Sequence, residues 1–75
     1  LYCNRINFMA IDDLKEPIEV NAKIRYNHRG DSCIIKKVDD DLVEVEFNQP
    51  QRAVTPGQAV VFYKDDYIVG GGTII

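Results

Sequence analysis

The chain has 75 residues, 45% of them hydrophobic and 28% charged, with a net charge of −3. That describes one domain or part of one, too apolar and too weakly charged for a disordered tail, and no uncharged apolar run is long enough to span a membrane. No basic-then-apolar leader opens the chain, and Leu1 and Tyr2 run straight into a strand-like pattern, as expected of a fragment of a longer protein.

Period-2 alternation dominates the sequence in chain order. Residues 2–9 are a weaker case, with Ile6 and Phe8 inward and Arg5 and Asn7 outward. An irregular connection follows from Ala10 and ends at Glu16 and Pro17. In residues 19–26, Val20, Ala22, Ile24 and Tyr26 share one face, while Glu19, Asn21, Lys23 and Arg25 share the other. A polar loop holding Gly30 leads to a third run at 34–38, and Asp39, Asp40 and Asp41 connect it to a fourth at 43–47. With a three-residue turn there, Lys36 faces Glu44, Ile35 faces Val45, Cys33 faces Phe47 and Lys37 faces Val43. That last pairing puts a lysine on the inward face, so Lys37 lies near the strand end or a bulge shifts the count. Pro56 and Gly57 suit a turn feeding a fifth run at 59–63, because proline presets φ and glycine accepts positive φ. Lys64, Asp65 and Asp66 close a hairpin to a sixth run at 67–69. No ten-residue segment has helical periodicity. Six short antiparallel strands remove their adhesive edges by closing on themselves, so the expected fold is a small all-β barrel.

Gly70, Gly71 and Gly72 interrupt the last run. A phosphate cradle would need a following helix, and only Thr73, Ile74 and Ile75 follow. The alternative is a bend where backbone crosses backbone at a barrel corner. Cys3 and Cys33 lie too far apart for a clustered metal site, His28 is the only histidine, and no metal ligand set is expected. The two thiols fit a reducing cytoplasm. No serine–histidine–acid set is visible, and Cys33 near His28 is weak evidence for a nucleophile. A domain of about this size buries only roughly 60% of its unfolded surface, which favours surface recognition over a deep catalytic pocket.

Charge is unevenly divided. Residues 1–37 carry a net +2 and residues 38–75 a net −5. Lys23 and Arg25 share an outward face, and His28 and Arg29 occupy the tip of the same hairpin. Such a patch beside Tyr26 offers charge for phosphate and a ring for a base. The competing account is an ordinary solvated strand face; an acidic domain does not steer RNA by its net field, so any contact is local.

Three segments carry a family resemblance. Ala22-Lys23-Ile24-Arg25-Tyr26, the run FNQPQRAVTPGQAVVFY at 47–63, and Gly70-Gly71-Gly72-Thr73-Ile74 resemble the C-terminal region of bacterial-type tRNA-specific 2-thiouridylases, in the family's order. Asn7-Phe8 is similar to the family's Asn-Trp, with phenylalanine in place of tryptophan. The resemblance implies that residues 1–75 are the C-terminal, translation-factor-like β-barrel of a larger enzyme. It further implies that the parent uses ATP, with magnesium, to activate C2 of the wobble uridine of tRNA, and that a catalytic cysteine pair delivers persulfide sulfur. The ATP loop and the catalytic-cysteine segments lie outside this chain, so neither role passes to Cys3 or Cys33, and no catalytic residue or cofactor is expected here. By resemblance the tRNA contacts are Arg25, Tyr26 and Gln58, with Lys23, His28 and Arg29 as accessory contacts from the charge pattern. Implied partners are tRNA, the N-terminal and central domains and a sulfur-relay protein, with no membrane. Two alternatives stay open: a structural or protein-docking barrel without RNA contact, whose working surface would be the acidic half, and a translation-factor barrel outside this family. Gln58 has its own alternative role, bonding the backbone of the turn before it, and Tyr26 could be a plain core aromatic.

Overall fold

A computed structural model of the chain describes residues 1–11, 13–24, 30–49 and 54–75. Six strands run β1 (Tyr2–Phe8), β2 (Ile18–Ile24), β3 (Asp31–Asp39), β4 (Leu42–Phe47), β5 (Ala59–Lys64) and β6 (Tyr67–Ile74). They close into an antiparallel barrel in the order β1-β4-β3-β2-β5-β6. No helix occurs among the described residues. The alternation explains the core: Val20, Ala22 and Ile24 of β2, Cys33 and Ile35 of β3, Val43 and Val45 of β4, and Val60 and Phe62 of β5 all point inside. Phe62 and Ile35 are fully enclosed, and side chains of that size contribute roughly 1.5–3 kcal/mol each when buried. Ile6 and Phe8 pack against this core while Arg5 and Asn7 are exposed, as the weak alternation of β1 implies. Leu14, from the irregular connection at 9–17, joins the same cluster.

The register of β3 against β4 follows the expected pairs, including Lys36 opposite Glu44 and Lys37 opposite Val43. The turn itself is shorter than three residues. Asp39 pairs with Leu42, so Asp40 and Asp41 form a two-residue connection and Val38 is the extra residue of a bulge. Lys37 therefore sits at the end of the regular ladder, and its half-buried stem lets the ammonium reach Asp13 at 3.0 Å. That ion pair, with a hydrogen bond from the Leu14 amide, holds the Asp13 carboxyl below the usual carboxylate range. Strand β3 also starts earlier than expected, because Ser32 and Asp31 pair with Asn21 and Ala22 of β2. Of the run expected at 19–26, the described part ends at Ile24.

The glycine run continues β6 and does not interrupt it. Gly70 pairs with both Phe8 of β1 and Phe62 of β5, and Gly71 with Asn7 and Val61. The backbones are so close that a Cβ on Gly70 would lie 2.5 Å from the Asn7 carbonyl oxygen. Across that seam β1 carries a bulge between Asn4 and Asn7, with Arg5 at φ 52°. Asp41, from the β3–β4 turn, clamps the bulge: its carboxylate accepts the Arg5 amide at 2.9 Å and the Ile6 amide at 2.8 Å. Both bonds favour the charged form and hold its pKa below the usual value.

Cys3 and Cys33 are free thiols with no exposed surface. Burial pushes the Cys3 thiol up to about 11 and Cys33 to about 12.

Two tests follow from this packing. Gly70→Ala is expected to cost about 2 kcal/mol or more through backbone collision, read as a lower urea midpoint. Gly57→Ala, where φ is +94° but nothing lies within 4 Å, carries only the left-handed backbone cost of about 1 kcal/mol. Equal losses at the two positions would contradict the close-approach account. The thiols give the second test. An unfolded thiol ionises near pH 8.5 while the buried ones stay protonated to about 11, so the unfolded state binds fewer protons in that window. Stability should decline as pH rises from about 8.5 toward 11, by at most about 1.4 kcal/mol per pH unit for each thiol. Replacing both cysteines with alanine should flatten that limb, and at neutral pH a thiol reagent should label them only on unfolding.

Candidate functional site

Antiparallel pairing assigns every connection to one of two barrel ends. At one end lie the short turns 40–41 and 65–66 and the connection 9–17. At the other lie the ends of β2 and β4, the starts of β3 and β5, the turn at 55–58, the start of β1 and the end of β6. Of the candidate site residues, Gln58 and Lys23 are described, and both lie at or near this second end.

Gln58 is the best defined of them. Residues 55–58 form a turn in which the Gln58 amide donates to the Thr55 carbonyl at 3.3 Å. Pro56 and Gly57 are its central residues, and Gly57 supplies the positive φ of 94°. The turn is tied to β6: the Gly57 amide donates to the Ile74 carbonyl at 2.7 Å and the Ile74 amide to the Gln58 carbonyl at 2.9 Å. The half-buried Gln58 side chain turns back, its Oε1 accepting the Thr55 amide at 2.9 Å. The turn-bonding role thus exists, and it fixes the carboxamide at the rim with its oxygen toward the protein.

Lys23 is exposed near the end of β2 and pairs with Val61 of β5, and Ile24 pairs with Val60. The chain therefore leaves β2 two residues along β5 from Gln58. Arg25, Tyr26, His28 and Arg29 lie outside the described residues, as do Arg52 and its neighbours at 50–53. At Gly30, just before β3, a Cβ would fall on the Tyr63 hydroxyl, so the β5 tyrosine is packed directly over the entry to β3. Nothing in the local sequence signals that contact, since it joins residues 33 positions apart.

The outer wall is divided in charge. Across β2, β3 and β4 one row reads Glu19, Ile34, Glu46, and the next holds Lys36 and Glu44. Glu44 accepts a hydrogen bond from the Tyr2 hydroxyl at 3.1 Å, which raises the phenol's pKa. Across β1, β6, β5 and β2 the rows read Asn7, Gly71, Val61, Lys23 and Asn4, Thr73, Ala59, with no carboxylate in them. Among the described residues no three His, Cys, Asp or Glu side chains converge as a metal site.

A family model for the aminomethyltransferase beta-barrel domain matches residues 1–74. The tRNA-specific 2-thiouridylase MnmA of Lachnoclostridium phytofermentans is 59% identical over 75 residues, all of this chain and 21% of the relative. That of Clostridium botulinum, MnmA 1, is 51% identical over 74 residues, 99% of this chain and 21% of the relative. That of Carboxydothermus hydrogenoformans is 47% identical over 74 residues, 99% of this chain and 20% of the relative. The chain spans about a fifth of the length of these relatives. With its closed six-stranded sheet and a match from Leu1 to Ile74, the chain belongs to the aminomethyltransferase beta-barrel domain family, in the form carried by tRNA-specific 2-thiouridylases.

Proposed function

We propose that this barrel is the C-terminal domain of a tRNA-specific 2-thiouridylase and holds tRNA through the rim that carries the 25–30 and 48–58 loops. The parent enzyme then performs ATP-dependent sulfur transfer to C2 of the wobble uridine, in the cytoplasm. Its ATP-binding and central domains do the chemistry, and this domain supplies grip and orientation. The observation that carries the reading is the shared rim: Ile24 pairs with Val60, two residues past Gln58, so the segment that begins with Arg25 starts beside the Gln58 turn. Arg25 can bridge phosphate oxygens bidentately, Tyr26 can offer its ring and hydroxyl, and Lys23, His28 and Arg29 add local positive charge. Gln58, with Oε1 engaged by Thr55, would meet a ribose or phosphate oxygen through Nε2. The carboxylate rows on β2, β3 and β4 are unsuited to a polyanion, so RNA approaches from the rim and not from that wall. That wall is where a basic protein such as a sulfur carrier would dock.

The deciding variant is Gln58→Glu in the full-length enzyme. It keeps an acceptor for the Thr55 amide and replaces the Nε2 donor with a charge that repels phosphate. The expected result is unchanged thermal stability and ATP binding with about a tenfold loss of tRNA affinity, equal to roughly 1.4 kcal/mol. Arg25→Ala should lower affinity and reduce the slope of log affinity against log salt by about one. Filter-binding titrations at two salt concentrations read both. Wild-type tRNA affinity in both variants would defeat the proposal, and retention of a sulfur carrier by a domain that leaves tRNA unshifted would favour the docking role.

A further inference from the structure

Strand β4 runs past the start of β1 at one end. Toward β3 its ladder runs to Phe47, opposite Cys33, and the Asn48 amide still reaches the Ser32 carbonyl at 3.0 Å. Toward β1 it stops at Val45. There Leu1 and Val45 exchange both backbone bonds, Leu1 nitrogen to Val45 oxygen at 3.0 Å and Val45 nitrogen to Leu1 oxygen at 2.7 Å. Beyond Leu1 the edge at 46–48 borders an open cleft of about 750 Å³. Its lining includes Leu1, Phe47 and Val54 as apolar surface and Glu44 and Glu46 as rim carboxylates. Backbone groups alternate in direction along a strand, so with Val45 aimed at Leu1 and Asn48 aimed at Ser32, the amide and carbonyl of Phe47 face the cleft.

We infer that in the full-length protein the residues joined to the nitrogen of Leu1 continue β1 along this edge, filling the cleft as an added strand segment and clamping the barrel to the rest of the enzyme. The inference rests on the reading of this chain as the later part of a longer protein, five times its length in the relatives. Three features select this occupant. Strand β1 runs away from the cleft, so the backbone arriving at Leu1 comes from the side where 46–48 stand open. An extended chain advances about 3.4 Å per residue, so two or three residues cover that edge. Open strand edges flanked by apolar side chains are templates for β-pairing, and a segment of the same chain satisfies this one at no loss of association entropy. The pairing of Tyr2 with Glu44 and Leu1 with Val45 fixes the register. The residue immediately before Leu1 falls opposite Glu46 as a non-hydrogen-bonded pair, and the residue before that falls opposite Phe47.

Paired cysteines in the full-length enzyme test this register. Non-hydrogen-bonded cross-strand neighbours have Cα atoms about 4.5 Å apart, inside the roughly 4.4–6.8 Å window of a disulfide. Glu46→Cys combined with cysteine at the position immediately before Leu1 should cross-link readily on treatment with diamide, the oxidant, as mapped by peptide mass spectrometry. Moving the second cysteine one position further from Leu1 puts it on the opposite face of the strand and should slow the cross-link about tenfold or more. Hydrogen exchange of the unsubstituted enzyme gives a readout free of substitution. The Phe47 amide should be protected about a hundredfold or more without tRNA present. A missing cross-link, equal rates at the two positions, or protection that arises only when tRNA is added would overturn the inference. The last of these outcomes would make the cleft an RNA subsite. Glu46→Cys and the Gln58 variant act on different faces, so a failed tRNA test leaves the cross-link result standing, and the reverse also holds.

Discussion

Closure between β1 and β6 is the constraint on which the rest depends. Glycine lets the strands approach this closely: an added Cβ on Gly70 would lie 2.5 Å from the Asn7 carbonyl oxygen of β1 and one on Gly72 2.9 Å from that of Asn4, while one on Gly71 would lie 2.7 Å from the Val60 carbonyl oxygen of β5. With the seam closed, Cys3 lies opposite Ile74, and the first and last strands share one end of the barrel. The Gln58 turn is bonded to Ile74, the Ile75 amide donates to Tyr2, and Leu1 bonds Val45, so the whole rim is stitched through the closing strands. Opening that seam would keep the β1–β4 and β5–β6 pairs but lose the Cys3–Ile74 pairing and the bond from the Ile75 amide to Tyr2, separating the two ends of the sheet.

Closure also sorts the surface. Each outward row crosses several strands, so charges distant in sequence are collected onto one wall. Glu19, Glu44 and Glu46 gather on the β2–β3–β4 side, whereas the β1–β6–β5 side carries amides, small residues and Lys23. A net charge of −3 thus coexists with a wall whose paired rows hold no carboxylate. The far end is tied down differently. Asp41 clamps the β1 bulge, and Lys37 and Asp13 join the β3 end to the 9–17 connection, placing Leu14 in the core. The other end is held by backbone pairing of Leu1 with Val45 and of the Gln58 turn with Ile74, with side-chain bonds from Asn48 to Ser32 and from the Thr55 amide to Gln58.

Much of this was legible in the residues. The faces of β2, the register that sets Lys36 opposite Glu44, and the Pro56-Gly57 turn all follow from local rules of period, pairing and φ preference. What escaped was decided by contacts between distant segments. Asp41 looked like one of three turn aspartates; its role depends on a bulge 36 residues away at Arg5. For the glycine run the close approach of backbones is legible, but not that β6 runs straight through it, which depends on partners on both sides. Val38 became a bulge residue because a two-residue turn at Asp40 and Asp41 left one residue too many on β3. For the candidate site, Arg25, Tyr26 and Gln58 come from resemblance and Lys23, His28 and Arg29 from the charge pattern, and of these only Gln58 and Lys23 fall within the described residues.

Gln58 shows why a residue's structural duty need not compete with recognition. A free carboxamide at a rim samples several rotamers and loses that freedom on binding, at a cost of roughly 0.5–1.5 kcal/mol for an immobilised side chain. Here Oε1 is already held by the Thr55 amide, and the turn that presents it is bonded to β6 through Gly57 and Ile74. The amide group of the side chain is thereby oriented before any ligand arrives. The bond that makes Gln58 look merely structural is also what would make its Nε2 an effective donor, since the ordering is completed on folding and not on binding.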